Sequence, residues 1–219
     1  MTFDELFTKG GPVVWILAAY SVIALTIVME RFLFFMLSAR PPKGFETTLR
    51  EALDEKRAPQ LLREMKGPEA TVMQGIIDAA RDGIKDLGRV ASRIGSDELQ
   101  RMERGFRTLG VLGNTAPLLG LFGTITGMIK AFMVIEQAGG RVDAQALAGG
   151  IWEAMITTGV GLAVAIPILL LLHFLEGAAD RRAQSMHRYA SVLVERIGCA
   201  EDIDGEEAVR HREGVVHAL

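Results

Sequence analysis

A carboxylate, an amide and three hydroxyls stand inside long uncharged stretches of this sequence. Glu153, Thr157 and Thr158 open one such stretch, and Asn114 and Thr124 lie in another. Polar groups inside membrane-crossing segments are costly and usually face a bundle interior or a watery path. These residue types therefore favour the handling of ions or protons. Each threonine could also bond the carbonyl one turn earlier in its own helix, so simple helix packing is the alternative.

Three apolar stretches are long enough to position these residues in a membrane, since a spanning helix needs about 20 mostly apolar residues. They cover residues 12–37, 109–135 and 149–175. The first is predicted to be an uncleaved span rather than a signal peptide, because its start, MTFDELFTKGG, is not basic and its apolar run is too long. The sequence thus predicts an all-α integral membrane protein with three transmembrane helices and long cytoplasmic helical extensions.

Basic residues set the orientation of these spans. Lysine and arginine crowd into residues 38–108 and 176–219, whereas residues 1–11 and the turn at 136–148 carry one basic residue each. Cytoplasmic loops of membrane proteins carry the excess of such residues. The amino terminus and the turn are therefore predicted on the outer side, and the large loop and the carboxyl-terminal tail in the cytoplasm.

The cytoplasmic segments carry apolar residues at helical spacing. Pro68 predicts a helix start, because proline suits the first turn of a helix. Ser96 or Asp97 is a predicted N-cap for a helix that continues unbroken into the second span. A further helix is predicted beyond the third span, and the polar stretch 202–219 is predicted to be frayed or disordered.

Composition disfavours several functional classes. The net charge of −3 gives no reason to expect a nucleic-acid partner. The single cysteine, Cys199, leaves no internal disulfide, and the histidines are scattered without metal-ligand spacing. No phosphate-binding loop or nucleophile motif appears, so an enzyme is the least favoured class and no cofactor or metal is expected.

The polar residues of the second and third spans are predicted to lie at similar depths in the membrane. Thr158 lies about 7.5 Å inside the end of the third span marked by Glu153, and Thr124 lies a similar distance inside Lys130. Antiparallel spans could present both threonines as one polar layer. Glu153 and Thr158 are about 140° apart around the helix, so they cannot both point squarely at the same axis. Thr157 shares the face of Glu153 and can bond it.

Small residues and prolines predict how the spans pack. Gly120, Gly123 and Gly127 permit close helix contact, and Pro117 and Pro167 shape their helices by removing a backbone hydrogen bond. Three spans cannot by themselves enclose a solvent-filled lumen. An oligomer is therefore predicted.

Two stretches carry a family resemblance. LGNTAPLLGLFGTITGMI (112–129) and GIWEAMITTGVGLAVAIP (150–167) resemble the paired signatures of the MotA/TolQ/ExbB proton-channel family. The opening GGPVVWIL…ERFLFF looks like the first span of the ExbB/TolQ branch. The resemblance covers residues 10–180, and three spans rather than four disfavour a flagellar MotA. Trp152 and the TTGVGL that follows are minor departures, so the choice between ExbB and TolQ stays open.

The resemblance implies an assembly in a bacterial inner membrane. The chain would form a homopentamer whose second and third spans line a lumen, with a periplasmic amino terminus and a cytoplasmic carboxyl terminus. Two copies of an ExbD/TolR-like single-span protein, each with an essential aspartate, would lie in that lumen. Proton motive force would turn the ring around this pair and energise a TonB- or TolA-like periplasmic protein. Besides the surrounding lipid, no other partner is implied.

The resemblance also implies roles for individual residues. Glu153, Thr124 and Thr158 correspond to the functional polar residues of the family, and Pro117 to its helix-shaping residue. Thr158 and Thr124 are expected to face the lumen, and Glu153 to relay protons or bridge neighbouring subunits. Asn114 and Thr157 are secondary candidates.

Other functions are compatible with the sequence. A passive membrane scaffold would use the same packed helices without ion flux. A small-molecule transporter is less favoured, because three spans show no inverted repeat or pair of broken helices. Hydroxyls and carboxylates can serve protons or sodium, and the energised outer-membrane process is left open.

Overall fold

The chain is predominantly helical in the parts that the computed structural model describes, namely residues 11–38, 41–42, 44–54, 57, 60–62, 65–137 and 144–216. No strand occurs in these ranges. The main helices are α1 (Gly11–Leu37), α2 (Phe45–Asp54), α3 (Pro68–Arg81), α4 (Leu87–Met102), α5 (Phe106–Gln137) and α6 (Ala144–Val216). The predicted all-α class is confirmed.

The chain divides into two compact units. The first combines Met1–Leu33 with Glu103–Gly177, and the second combines Phe34–Met102 with Ala178–Leu219. The first unit therefore holds most of α1, all of α5 and the apolar part of α6. The second holds α2, α3, α4 and the later part of α6.

Three helices among the described residues are long and apolar enough to cross a membrane, namely Gly11–Leu37, Phe106–Gln137 and the Ala148–Gly198 part of α6. Their apolar side chains cover the outside as well as the inside, as Leu118 and Phe122 on α5 show by their exposure. A helix that is apolar on all sides needs an apolar environment around it. Together with the helical fold, these spans confirm the prediction of an integral membrane protein.

The core of the first unit is small and lies where the three spans meet. Val13 and Leu17 of α1 pack with Ala116 of α5 and Ala165 of α6. Two of the four side chains are alanines, so the helix axes can approach closely at this point. Helix association in a bilayer relies on this kind of close packing, because lipid already surrounds the apolar surface.

The second unit is built around amphipathic helices. Helix α3 begins at Pro68, as predicted, with Glu69 in its first turn, where a carboxylate complements the helix dipole. The buried apolar side chains of this unit include Leu49, Leu62, Met73, Ile76, Met186 and Leu193.

A buried ion pair joins α3 to α6 within the second unit. Arg182 Nη1 lies 2.8 Å from Glu69 Oε2, and the two side chains are 6% and 2% exposed. Arg182 Nη2 also donates to the Ser38 carbonyl at 2.6 Å, and the Ser185 hydroxyl donates to Glu69 at 3.4 Å. Each charge thus has more than one polar partner, which a buried pair needs to offset its loss of hydration.

Tyr189 lies near this ion pair. Its ring meets Phe45 edge to face, with centroids 5.2 Å apart. Burial raises the pKa of Tyr189 above its ordinary value of 10.0, and the negative charges of Glu69 and Glu46 raise it further, against the opposing effect of Arg188.

The start of α4 differs from the prediction. Ser96 and Asp97 lie in the interior of α4, so neither is an N-cap. The cap is Asp86, whose Oδ1 accepts a hydrogen bond from the Arg89 backbone N–H at 3.0 Å. Polar residues also occur on the exposed face in the middle of an amphipathic helix. Their presence alone therefore does not identify where the helix starts.

The predicted unbroken helix into the second span is also wrong. Helix α4 ends at Met102 and α5 begins at Phe106. Gly105 between them has φ +89°, a conformation that glycine adopts without strain. A Cβ at Gly105 would lie 2.8 Å from Ile27 Cγ2, so a larger residue would also clash.

The end of α6 extends further than predicted. The helix continues to Val216, so the described part of 202–219 is helical rather than frayed. The stretch has no proline and contains good helix formers such as alanine and glutamate. Residues 217–219 lie outside the described ranges.

Candidate functional site

Helices α5 and α6 meet in backbone contact along a line that we term the seam. A Cβ on Gly120 would lie 2.9 Å from the Thr157 carbonyl oxygen, and one on Gly161 would lie 2.8 Å from that of Ala116. Glycine permits this approach because it has no side chain to separate the helices. The separation of α5 and α6 is therefore set by backbone atoms.

The two other glycines predicted to shape the spans lie in the seam. A Cβ on Gly123 would lie 2.6 Å from Thr157 Cβ, and one on Gly127 would meet the neighbouring turn of α6 at 3.2 Å. Pro117 is half-buried within α5, and Pro167 is exposed within α6. Both helices continue through their prolines.

Thr124 is half-buried and bonds within its own helix. Its hydroxyl donates to the Leu121 carbonyl at 2.6 Å. Thr115 and Thr126 likewise donate to carbonyls one turn earlier in α5. This is the local pairing that a threonine can adopt in any helix.

Thr158 differs, because its hydroxyl donates across the seam to the Gly120 carbonyl at 3.2 Å. Gly120 precedes Thr124 by four residues, which is about 6 Å along α5. Thr124 and Thr158 therefore lie within about one helical turn of each other along the seam. We refer to these two hydroxyls as the threonine layer.

Glu153 forms an ion pair with Lys130 at the end of the seam. Lys130 Nζ lies 2.8 Å from Glu153 Oε1, and the side chains are 57% and 25% exposed. The first residue of α1 also lies against this carboxylate: a Cβ on Gly11 would be 2.8 Å from Glu153 Oε1. Three helices thus meet at one carboxylate.

The secondary candidates belong neither to the threonine layer nor to the ion pair. Thr157 is buried, but its hydroxyl donates to the Ala154 carbonyl at 2.8 Å, so the suggested bond to Glu153 is not formed. Asn114 is exposed on α5, and ten residues, or about 15 Å of helix, separate it from Thr124.

Sequence reasoning misses the roles of Lys130 and Gly11. The sequence marks Lys130 only as the boundary of the second span. Yet the depth argument places Lys130 and Glu153 at the same end of antiparallel spans, which is a usable signal for an ion pair. The conformation of Gly11, with φ +63°, has no sequence signal beyond the glycine itself.

The polar groups along the seam are hydroxyls, with a carboxylate and an ammonium at its end. Hydroxyls at the seam can exchange hydrogen bonds with water or with an acid presented to them. Within the described residues, no cluster of three His, Cys, Asp or Glu side chains could hold a metal ion. Fold and site together define a helical integral membrane protein.

Comparison with known proteins identifies the family. The model of the MotA/TolQ/ExbB proton channel family matches residues 43–188, and the chain belongs to this family, in its ExbB/TolQ branch. It is a family of transport and channel proteins rather than a known enzyme family.

Individual relatives point to the same branch. A Synechocystis protein named as an ExbB-like biopolymer transport protein is 34% identical over 86% of this chain and 75% of its own length. A Methanothermobacter thermautotrophicus protein named as an ExbB homolog is 30% identical over 82% of the chain, which spans 64% of that protein. The Tol-Pal system protein TolQ of Haemophilus influenzae is 28% identical over 78% of the chain and 82% of its length.

Proposed function

We propose that this chain is the motor and channel subunit of a proton-driven energiser in the bacterial inner membrane. Five copies would form a ring around two copies of an ExbD/TolR-like single-span partner. Proton uptake would turn the ring and drive a TonB- or TolA-like protein in the periplasm. In this arrangement Lys130 and Glu153 lie at the periplasmic end of the seam, and the second unit lies in the cytoplasm.

The observation that carries this proposal is the threonine layer in a member of a proton channel family. Thr158 uses its donor on a backbone carbonyl, which leaves the lone pairs of its oxygen able to accept a further hydrogen bond. Thr124 is likewise bonded through its donor and half-buried. Both hydroxyls can therefore accept a hydrogen bond from a proton-bearing group or a water.

The mechanism also needs an acid, and the sequence suggests where it comes from. The stretches 12–37, 109–135 and 149–175 contain no aspartate. A titrating aspartate inside the membrane would therefore be supplied by the partner helix. This explains why a partner belongs to the proposed mechanism rather than being an accessory to it.

The first experiment addresses the assembly. The chain would be co-expressed with a single-span protein encoded beside it, purified in mild detergent and measured by native mass spectrometry. We expect five copies of this chain with two of a partner that carries a membrane aspartate. A monomer or dimer without any partner would contradict the proposed ring.

The second experiment addresses ion flow in the reconstituted complex. Proton flux into liposomes would be compared for the wild type, Thr158→Val, Thr124→Val and Glu153→Ala. Thr115→Val is the matched control, because Thr115 also bonds its own helix but lies outside the threonine layer. We expect loss of flux with intact assembly in the first three variants and normal flux in the control.

Unchanged activity in the three variants would favour the passive scaffold, in which the same seam serves packing alone. Repeating the flux measurement with a sodium gradient at constant pH distinguishes the transported ion. Proton flux that is independent of sodium is the expected result.

A further inference from the structure

Glu153 lies beside two sources of positive charge. The ammonium of Lys130 lies 2.8 Å from Oε1, which is the distance of a charge-assisted hydrogen bond. The amino-terminal end of α1 lies close by, since a Cβ on Gly11 would be 2.8 Å from the same oxygen and 4.0 Å from Lys130 Nζ. The partial positive charge of a helix amino terminus stabilises an anion beside it.

The first turn of α1 contains no acidic residue of its own. Glu153 therefore provides, from another helix, the anion that this helix end favours. Gly11 makes the approach possible in two ways: it adopts φ +63°, and it has no Cβ to meet the carboxylate. We call Gly11, Lys130 and Glu153 the carboxylate junction.

We propose that Glu153 works as the fixed anion of the carboxylate junction and does not carry the transported proton, and that Lys130 is its positioning residue. The inference rests on the proposed function and concerns whether Glu153 relays protons or is structural. Lys130 keeps the carboxylate in place, and the junction ties α1 to the seam while α5 and α6 bear the threonine layer.

The reason is the cost of protonation. A proton on Glu153 would abolish its attraction to Lys130 and to the end of α1 together, and would leave the ammonium without this partner at a membrane boundary. The charge-assisted hydrogen bond from Lys130 to Glu153 would be lost with that proton. A group that binds and releases a proton in every cycle would incur this cost each time, whereas a fixed anion avoids it.

Removing the positive charge tests the proposal. Lys130→Met keeps the carboxylate and the approximate length of the side chain but removes the ammonium. We expect proton flux in the reconstituted complex to fall to the level of Glu153→Gln, and Lys130→Arg to retain a large part of it. Arg107→Met, at the other end of α5, is the control for loss of a cation and is expected to leave flux unchanged.

Exchanging the charges of Lys130 and Glu153 distinguishes an ion pair from a proton relay. Lys130→Glu and Glu153→Lys are each expected to abolish flux, and the double reversal to recover part of it. Recovery is expected to be incomplete, because the lysine at 153 would face the positive end of α1. Normal flux in Lys130→Met, or a double reversal as inactive as Glu153→Lys alone, would overturn the proposal.

A second readout keeps this test independent of the proposed function. The midpoint of thermal unfolding would be measured for the same single and double reversals of the detergent-purified chain. A double reversal more stable than the sum of its single changes shows coupling between the two charges. Absence of flux in the wild type would refute the proposed function, whereas additive midpoints would refute the junction.

Discussion

At the scale of single residues, the hydrogen bond of Thr158 distinguishes it from the other threonines in the second and third spans. Thr115, Thr124, Thr126 and Thr157 all donate within their own helix, and Thr158 donates to α5. A bond between helices reports on their separation, whereas a bond within a helix does not. The hydrogen bonding of Thr158 therefore depends on how tightly the seam is closed.

The close approach of α5 and α6 at the seam predicts that a methyl group at Gly120 lowers stability. Gly120→Ala would place a Cβ 2.9 Å from a carbonyl oxygen and 3.1 Å from Thr158 Cα. Both are backbone atoms, so α5 and α6 must separate, and we expect a loss of about 1–3 kcal/mol in the free energy of unfolding. Thermal unfolding followed by tryptophan fluorescence measures it.

The matched control for Gly120 is Gly159, which lies in α6, where an added Cβ would have nothing within 4 Å. Gly159→Ala is expected to be neutral or to stabilise by about 0.5–1 kcal/mol, because alanine is the better helix former. Equal effects at the two positions would show that the seam is not closely packed.

Tyr189 supplies a prediction about pH. Its pKa in the folded protein is raised above 10.0, with burial as the main cause. The folded state then holds the phenolic proton more tightly than the unfolded chain does. The resulting stabilisation is complete below pH 10 and is lost as pH rises through the raised pKa.

Ultraviolet titration of tyrosinate measures this directly. The chain has two tyrosines, so the difference between wild type and Tyr189→Phe isolates Tyr189. We expect its midpoint above 10.0, and a shallower alkaline loss of stability in the variant. A midpoint at or below the ordinary value would contradict the burial of this side chain.

At the scale of elements, α3 and α6 are joined by the pair of Glu69 and Arg182. Their separation by 113 residues makes this contact one that only the folded second unit can form. The pair is buried on both sides, so breaking it should affect stability more than breaking an exposed pair does.

Glu69→Ala tests this expectation. It would leave the guanidinium of Arg182 buried beside the Ser38 carbonyl, and we expect a loss of about 3–5 kcal/mol in the free energy of unfolding. Glu46→Ala is the control, because Glu46 and Arg50 form an exposed pair within α2. It should lower the free energy of unfolding by no more than about 0.5 kcal/mol. Similar losses for the two variants would argue against the buried pair.

The elements also show where sequence reasoning succeeds and where it fails. Pro68 correctly predicts the start of α3, because proline lacks the backbone N–H that the first turn of a helix leaves unpaired. Gly105 is not recognisable as a break, because glycine occurs both inside helices and at left-handed positions. The choice at Gly105 depends on the packing of Ile27, which is distant in sequence.

At the scale of the whole molecule, length and charge distribution are enough to predict the three spans. The threonine layer follows from depth alone, since antiparallel spans of known ends fix the level of each residue. The carboxylate junction cannot be predicted in the same way, because the conformation of Gly11 and the partner of Glu153 depend on contacts among three helices.

The orientation of the molecule is a prediction that labelling can test. In a Cys199→Ser background, Gln137→Cys should react with a membrane-impermeant maleimide in spheroplasts, since the turn is predicted to be periplasmic. Glu195→Cys should react only after the membrane is permeabilised. Both positions are exposed in the chain, so a difference in labelling reports the side of the membrane. The reverse pattern would invert the proposed topology.

The bond from Thr158 to Gly120 has a consequence for genetics. Its acceptor is a backbone carbonyl, which every amino acid at position 120 would still possess. A mutation can therefore delete the donor hydroxyl of Thr158 but not the acceptor group. A suppressor of a Thr158 defect would therefore have to arise elsewhere. Lys130 and Glu153 meet through their side chains, and a compensating exchange between them is open to selection.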